Sequence, residues 1–198
     1  MKNLFLVLLI VSGSISAQSA DRPSGNGTEA SPFEIENIGN LYWITQDNSR
    51  LSLYYIQVND VDASGTAAWF PNGSGGYFGW QPIGSSSNPF TGSYNGQGHA
   101  ISGLTILRGN SNSIGLFGYA FYATISNLHL TSVNITGYNY TGALVGFNNT
   151  SQINNCSSGG TVHSTFLSCG GLVGYNTNSS IISESYCTCT VSGGYYTG

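Results

Sequence analysis

The sequence predicts an all-β fold, a parallel β-solenoid of rungs about 28 residues long with an N-terminal cap that contains one short helix. The first observation behind this is repetition. Gly115-Leu116-Phe117-Gly118, Ala143-Leu144-Val145-Gly146 and Gly171-Leu172-Val173-Gly174 follow one another at 28-residue steps, and Ile125, Ile153 and Ile181 keep the same interval. A fixed period of this size is the signature of stacked repeats, in which no single unit buries its own apolar face. The second observation is a shortage of charge. Of 198 residues only 6% are charged, with four Lys+Arg and eight Asp+Glu, and the net charge is −4. In-register stacking places like residues above one another, so a Lys or Glu column repels itself, whereas Asn, Ser and Thr columns hydrogen-bond along the axis. The third observation is strand length. Each unit offers only short β-rich runs, such as Leu144-Val145 and Val133 to Ile135, that need neighbours above and below to complete their hydrogen bonds.

Residues 1–17 read as a secretory signal peptide: Lys2, an apolar run from Leu4 to Val11, then small residues ending at Ala17. That run is too short to span a bilayer, and no later stretch is long and apolar enough, so no transmembrane segment is expected in this chain. The expected destination is outside the cell, secreted or on the surface. Residues 18–30, rich in Ser, Gly and Pro, form a flexible lead-in. Residues 31–85 form the cap and the first strands. Ser31, Pro32 and Glu34 match a helix start, and Ile35, Ile38, Leu41 and Tyr42 follow at helical spacing. Leu51 to Val61 reads as a strand. Tyr42, Trp43, Trp69, Phe70, Phe78 and Trp80 are assigned to the cap, because a first rung must cover an open apolar end and an unpaired strand edge. Residues 86–198 form the solenoid, with repeats at 114–141, 142–169 and 170–197. The structural positions of these repeats are Gly115, Leu116, Gly118, Ile125, Leu144, Gly146, Ile153, Leu172, Gly174 and Ile181. The leucines and isoleucines line the interior, and the glycines mark places of positive φ or close backbone approach.

The Gly/Ala-Leu-x-Gly core, the Ile125-Ser126-Asn127 and Ile153-Asn154-Asn155 triplets, and the upstream Gly79-Trp80-Gln81-Pro82-Ile83-Gly84 and Phe90-Thr91-Gly92 resemble the GLUG-motif repeats of bacterial surface proteins. The resemblance covers roughly residues 25–198. It departs at Phe117, where later units carry a small aliphatic residue, and at Glu184, where Asn is usual. It implies a β-helix in a large secreted or cell-surface, adhesin-like protein without shared catalytic residues. Separately, Gly137 to Gly142 recurs as Gly193 to Gly198, so the chain stops as a new unit opens, and further repeats or an anchoring domain are expected after Gly198.

Function is constrained by what the chain can present. With no basic run to neutralise phosphates, nucleic acid is not an expected partner. Sugar-cleaving chemistry requires paired carboxylates or a bound cation, yet Glu184 is the sole charged residue from Ile114 to Gly198, so the expectation is a non-enzyme without cofactor. The candidate binding residues are Tyr138, Tyr140, Tyr195 and Tyr196, in Gly137-Tyr138-Asn139-Tyr140-Thr141-Gly142 and Gly193-Gly194-Tyr195-Tyr196-Thr197-Gly198. Tyrosine rows of this kind either stack on a glycan or a cell-surface protein or simply seal a corner of the solenoid. Asp60 and Asp62, two apart on a strand, point to one face and make a weak Ca²⁺ candidate against the plainer reading of turn-forming aspartates. Setting Val162 against Val191 makes Cys156 and Cys187 diagonal neighbours on adjacent rungs, which leaves a disulfide or reduced, packed thiols open. The functional expectation is an adhesin-like surface module. The alternatives are an accessory carbohydrate-binding module of a larger secreted carbohydrate-active enzyme, or a purely structural spacer.

Overall fold

The computed structural model describes residues 18–198, so the signal peptide expected at residues 1–17 lies outside the described residues. The chain winds into a β-solenoid whose coils contribute strands to three parallel sheets. The first sheet runs through Phe33–Ile35, Tyr54–Gln57, Ser93–Asn95, Thr124–Ser126, Gln152–Asn154 and Ile181–Ser183. The second holds Phe117–Phe121, Val145–Asn149 and Val173–Thr177. The third stacks Val61–Asp62, Ala100–Ser102, His129–Gly137, Ser157–Ser164 and Tyr186–Cys187, with Thr105–Leu107 and Thr190–Gly193 alongside. A short pair, Ser168–Cys169 and Tyr196–Thr197, forms a further edge.

Register confirms the period. In the second sheet Val145 lies opposite Phe117 and Val173, 28 residues away on each side, whereas in the third sheet irregularities shift the step by one, so that Val162 lies between Ile135 and Val191, 27 and 29 residues away. Leu116 and Leu144 are fully buried and Leu172 is 8% exposed. They form one ladder, tied by Phe117 N–H to Leu144 O and by Leu144 N–H to Leu172 O, both at 2.9 Å. One continuous apolar core runs from Phe33 to Leu172, so the cap and the repeats share a single interior.

Three expectations are corrected. Ile181 does not continue the Ile125–Ile153 column; Ile182 does, while Ile181 faces Gln152 and is 55% exposed. The cause is a corner one residue longer. Thr150 alone takes left-handed backbone (φ 53°) in the lower coil, whereas both Asn178 and Ser179 do so (φ 52° and 60°) above it. The helix starts later than Ser31. Phe33–Ile35 pairs as a strand with Tyr54–Gln57, and the helix spans Ile38–Ile44, capped by Asn37 Oδ1 accepting from Asn40 N–H at 3.1 Å. The stretch from Leu51 to Val61 is broken by a 3-10 turn, Asn48–Ser52, and yields two short strands in place of one.

The glycine columns have one reason and not the other. None of Gly115, Gly118, Gly142, Gly146 and Gly174 has positive φ. At Gly146 an added Cβ would meet the backbone of Ser113, Ile114 and Gly118 on the rung below, so close approach is what excludes a side chain. Left-handed corners are instead built from Asn127, Asn155 and Glu184, with φ of 51°, 50° and 51°. Asn155 Nδ2 donates to Asn127 Oδ1 at 2.8 Å, and Asn127 Nδ2 donates to Asn95 Oδ1 at 3.0 Å. Asparagine tolerates this conformation better than glutamate and would extend the amide ladder. Glu184→Asn is therefore expected to stabilise the fold by about 1 kcal/mol, read as a rise in the thermal midpoint. An unchanged or lowered midpoint would contradict the ladder.

Of the six aromatic residues assigned to the cap, Trp69 and Trp80 are buried and Phe78 is 40% exposed. Tyr42 lies edge-on to Trp69 at 5.1 Å and to Trp80 at 6.3 Å, and Trp69 lies 5.8 Å from Trp80. The edge of the first sheet is covered by the segment at Ser24, whose carbonyl accepts from Glu34 N–H at 3.0 Å.

Candidate functional site

The repeat carries side chains to fixed places on the outer wall, so any surface feature must be built from columns. Tyr138 stacks on Phe166 at 5.0 Å with planes 7° apart, and Tyr195 meets Phe166 edge-on at 6.0 Å. These three residues form one ladder on successive coils. Tyr140, Ser168 and Tyr196 form the next column, because Thr141 bridges to Cys169 and Ser168 lies opposite Tyr196. The four tyrosines singled out in the sequence are thus the outer rungs of two adjacent columns.

A third column was not read from the sequence. Tyr119 stacks on Phe147 at 4.6 Å with planes 10° apart, and Phe147 lies 5.1 Å from Tyr175. Tyr140 joins it to the second column, edge-on to Phe147 at 5.1 Å and 5.1 Å from Tyr175. The signal was present, since positions 119, 147 and 175 keep the 28-residue step. Phe166 gave no such signal, because the middle coil carries Ser164 to Gly170, one residue longer and without tyrosine, where the coil below carries Gly137 to Gly142.

A cleft of about 860 Å³ lies at the last described coil, where Tyr140, Tyr175, Tyr195 and Tyr196 line it together with Val173, Asn176 and the final residue, Gly198. Tyr138 is not among its lining residues. Tyr195 and Tyr196 are 78% and 70% exposed. No charged side chain lines the cleft, so it offers π faces, hydroxyls and an amide.

The other sequence candidates lie elsewhere. Asp60 Oδ1 accepts from Ala100 N–H at 2.9 Å and faces His99 Nδ1 at 3.1 Å; these contacts, the Ala100 amide first, hold its carboxyl below the usual carboxylate range. Asp62 Oδ1 accepts from Ser64 N–H at 2.8 Å, and Ser64 lowers its pKa likewise. Each carboxylate ties down its own neighbouring segment, and among the described residues no group of three or more His, Cys, Asp or Glu converges. His129 Nδ1 faces Ser157 Oγ at 2.8 Å and His163 Nδ1 faces Ser192 Oγ at 3.1 Å.

The expected diagonal of Cys156 and Cys187 exists. Ser158 lies opposite Cys187, and Cys156 N–H donates to Ser185 Oγ at 3.0 Å. No disulfide joins them, because all four cysteines are free. The Cys156 thiol turns into the core toward Asn154 O at 3.3 Å, and burial pushes its pKa up to about 11. Cys187 Sγ instead accepts from Cys189 N–H at 2.9 Å.

No protein-family model matches the chain. Halomucin of Haloquadratum walsbyi is 34% identical over 168 residues, 82% of this chain and 2% of that protein. A candidate Gly-rich membrane protein of Evansella cellulosilytica is 37% identical over 162 residues, 78% of this chain and 17% of that protein. The chain therefore spans only a small part of each relative's length. A crystal structure of a candidate immunoglobulin A1 protease from Bacteroides ovatus superposes with a TM-score of 0.62 at 21% identity, covering 84% of this chain and 50% of the other. That likeness is one of fold. Among the described residues no helix is long and apolar enough to cross a membrane.

Proposed function

We propose that the chain is a non-catalytic, GLUG-type repeat segment of a surface-associated protein, and that it makes weak, repeated contacts with glycans through the cleft bounded by Tyr140, Tyr175, Tyr195 and Tyr196. The observation that supports this reading is the pair of ring ladders on the outer wall, Tyr119-Phe147-Tyr175 and Tyr138-Phe166-Tyr195, with Tyr140 against Phe147 and Tyr175. Flat rings accept the apolar faces of sugars, and surrounding hydroxyls and amides match sugar hydroxyls without the desolvation of fixed charges. A rigid wall repeating such contacts along its axis gains overall affinity by multivalency. The lengths of halomucin and of the Evansella protein support a place within a long surface array. The scarcity of carboxylates supports the absence of hydrolytic chemistry: Glu184, the sole charge after Arg108, does not line the cleft.

Glycan-array binding of residues 18–198 tests the reading. The unaltered protein is expected to bind a subset of neutral glycans. The combined change Tyr140→Ala, Tyr195→Ala and Tyr196→Ala is expected to reduce that signal at least tenfold, whereas Tyr122→Ala, 67% exposed but outside the cleft, retains it. Absence of binding by the unaltered protein would leave the spacer reading instead.

A further inference from the structure

Arg108 is the one basic residue beyond Arg50 in a chain of four, and its surroundings are unusual for a cation. The guanidinium is half-buried, with its carbon 5.6 Å from the Phe70 ring centre and 5.4 Å from that of Phe78. Nε donates to Trp80 O at 2.9 Å and Nη2 to Gly79 O at 3.5 Å. Every one of these partners is neutral. The ion pair found among the described residues is His99 with Asp60, so Arg108 has no carboxylate beside it. Burial alone lowers its pKa, with no acidic neighbour acting against that, yet guanidinium remains charged at any ordinary pH. A half-buried cation without a counter-ion beside it favours an anion that can reach it.

An anion has room to reach it. Arg108 lines a cavity of about 270 Å³ between two loops, together with Gln81, Ser85, Ser86, Ser111 and Ser113. These residues supply hydroxyl and amide donors, and no carboxylate lines the cavity. The aromatic rings and the Trp80 carbonyl fix the guanidinium, so little side-chain entropy is lost when it gains a partner. Charge-assisted bonds from guanidinium to a planar or tetrahedral oxyanion are among the stronger polar contacts.

We propose that this cavity is an oxyanion site in which Arg108 binds a carboxylate or sulfate group, either carried on an acidic saccharide or as the free anion. It shares no residue with the tyrosine cleft, and it stands whether or not that cleft binds glycan.

Titrations of ¹⁵N-labelled residues 18–198 with methyl β-glucuronide, sodium sulfate and neutral methyl β-glucoside, followed by NMR, test it. Glucuronide and sulfate are expected to give saturable shifts at the Arg108 side chain and at the amides of Ser85, Ser111 and Ser113, weakening as NaCl is added; the glucoside is expected to give none. Tighter binding of glucuronide than of sulfate assigns the anion to a saccharide, and equal binding assigns it to the free ion. Arg108→Gln is expected to lower affinity at least tenfold. Because that change also removes packing on Phe70 and Phe78, Ser111→Phe, at an exposed position, closes the cavity with the guanidinium intact and is expected to lower affinity as much. No saturable shift with either anion, or shifts that survive both variants, would overturn the proposal.

Discussion

Gly146→Ala is expected to destabilise the fold by about 3 kcal/mol or more, enough to consume much of the stability of a domain this size. The added methyl would stand against the backbone of Ser113 and Ile114, which belong to the neighbouring coil and are held there by Ser113 N–H to Asn139 O at 2.9 Å and Ile114 N–H to Tyr140 O at 3.1 Å. Backbone in a hydrogen-bonded rung cannot rotate aside as a flexible side chain does, so the coils must part and lose several bonds together. Gly73→Ala is the contrasting change. An added Cβ there meets nothing within 4 Å, and φ of 78° leaves only local strain of about 1 kcal/mol. Chemical denaturation of the two variants checks the difference. Equal losses would mean that the stacked rungs are not in close backbone contact.

Leu144→Ala is expected to cost about 3 kcal/mol, within the range for truncating a fully buried leucine. The side chain is enclosed between Leu116 below and Leu172 above, so neither neighbour collapses easily into the space left behind. Leu172→Ala is expected to cost less. In residues 18–198 that residue retains 8% exposure, so part of the vacated space opens to water. The comparison separates a continuous dry ladder from three unrelated buried leucines. If Leu172→Ala proves the more damaging, the interior is not organised along the solenoid axis.

The parts of this fold that were legible were those that stacking itself imposes. A side chain repeated every coil must face the same way each time, so the Leu116, Leu144 and Leu172 column and the facing of Val162 on Val191 could be read from position alone. Charge scarcity was legible for the same reason. What remained hidden was decided at corners, where one left-handed residue or two turn the chain equally well. An added residue at Asn178–Ser179 therefore displaced Ile181 without disturbing the strands on either side. The start of the helix was obscured because Ser31-Pro32 and Asn37 both offer helix-start chemistry; pairing of Phe33 and Ile35 with Tyr55 and Gln57 decided between them. On the outer wall, two of three aromatic columns were approached through their tyrosines. The third needed Phe and Tyr to be treated as equivalent at positions 119, 147 and 175. The Arg108 cavity could not be anticipated, because it joins two loops that the repeat does not relate.

The fold requires coils lying directly over one another with matching leucines in contact. Methyl-to-methyl NOE measurement on leucine-labelled protein addresses this most directly. Rungs about 4.8 Å apart predict strong cross-peaks from Leu116 to Leu144 and from Leu144 to Leu172, with all three methyl groups shielded from a soluble paramagnetic agent. Missing cross-peaks between successive leucines, or ready broadening of Leu144 by the agent, would contradict it.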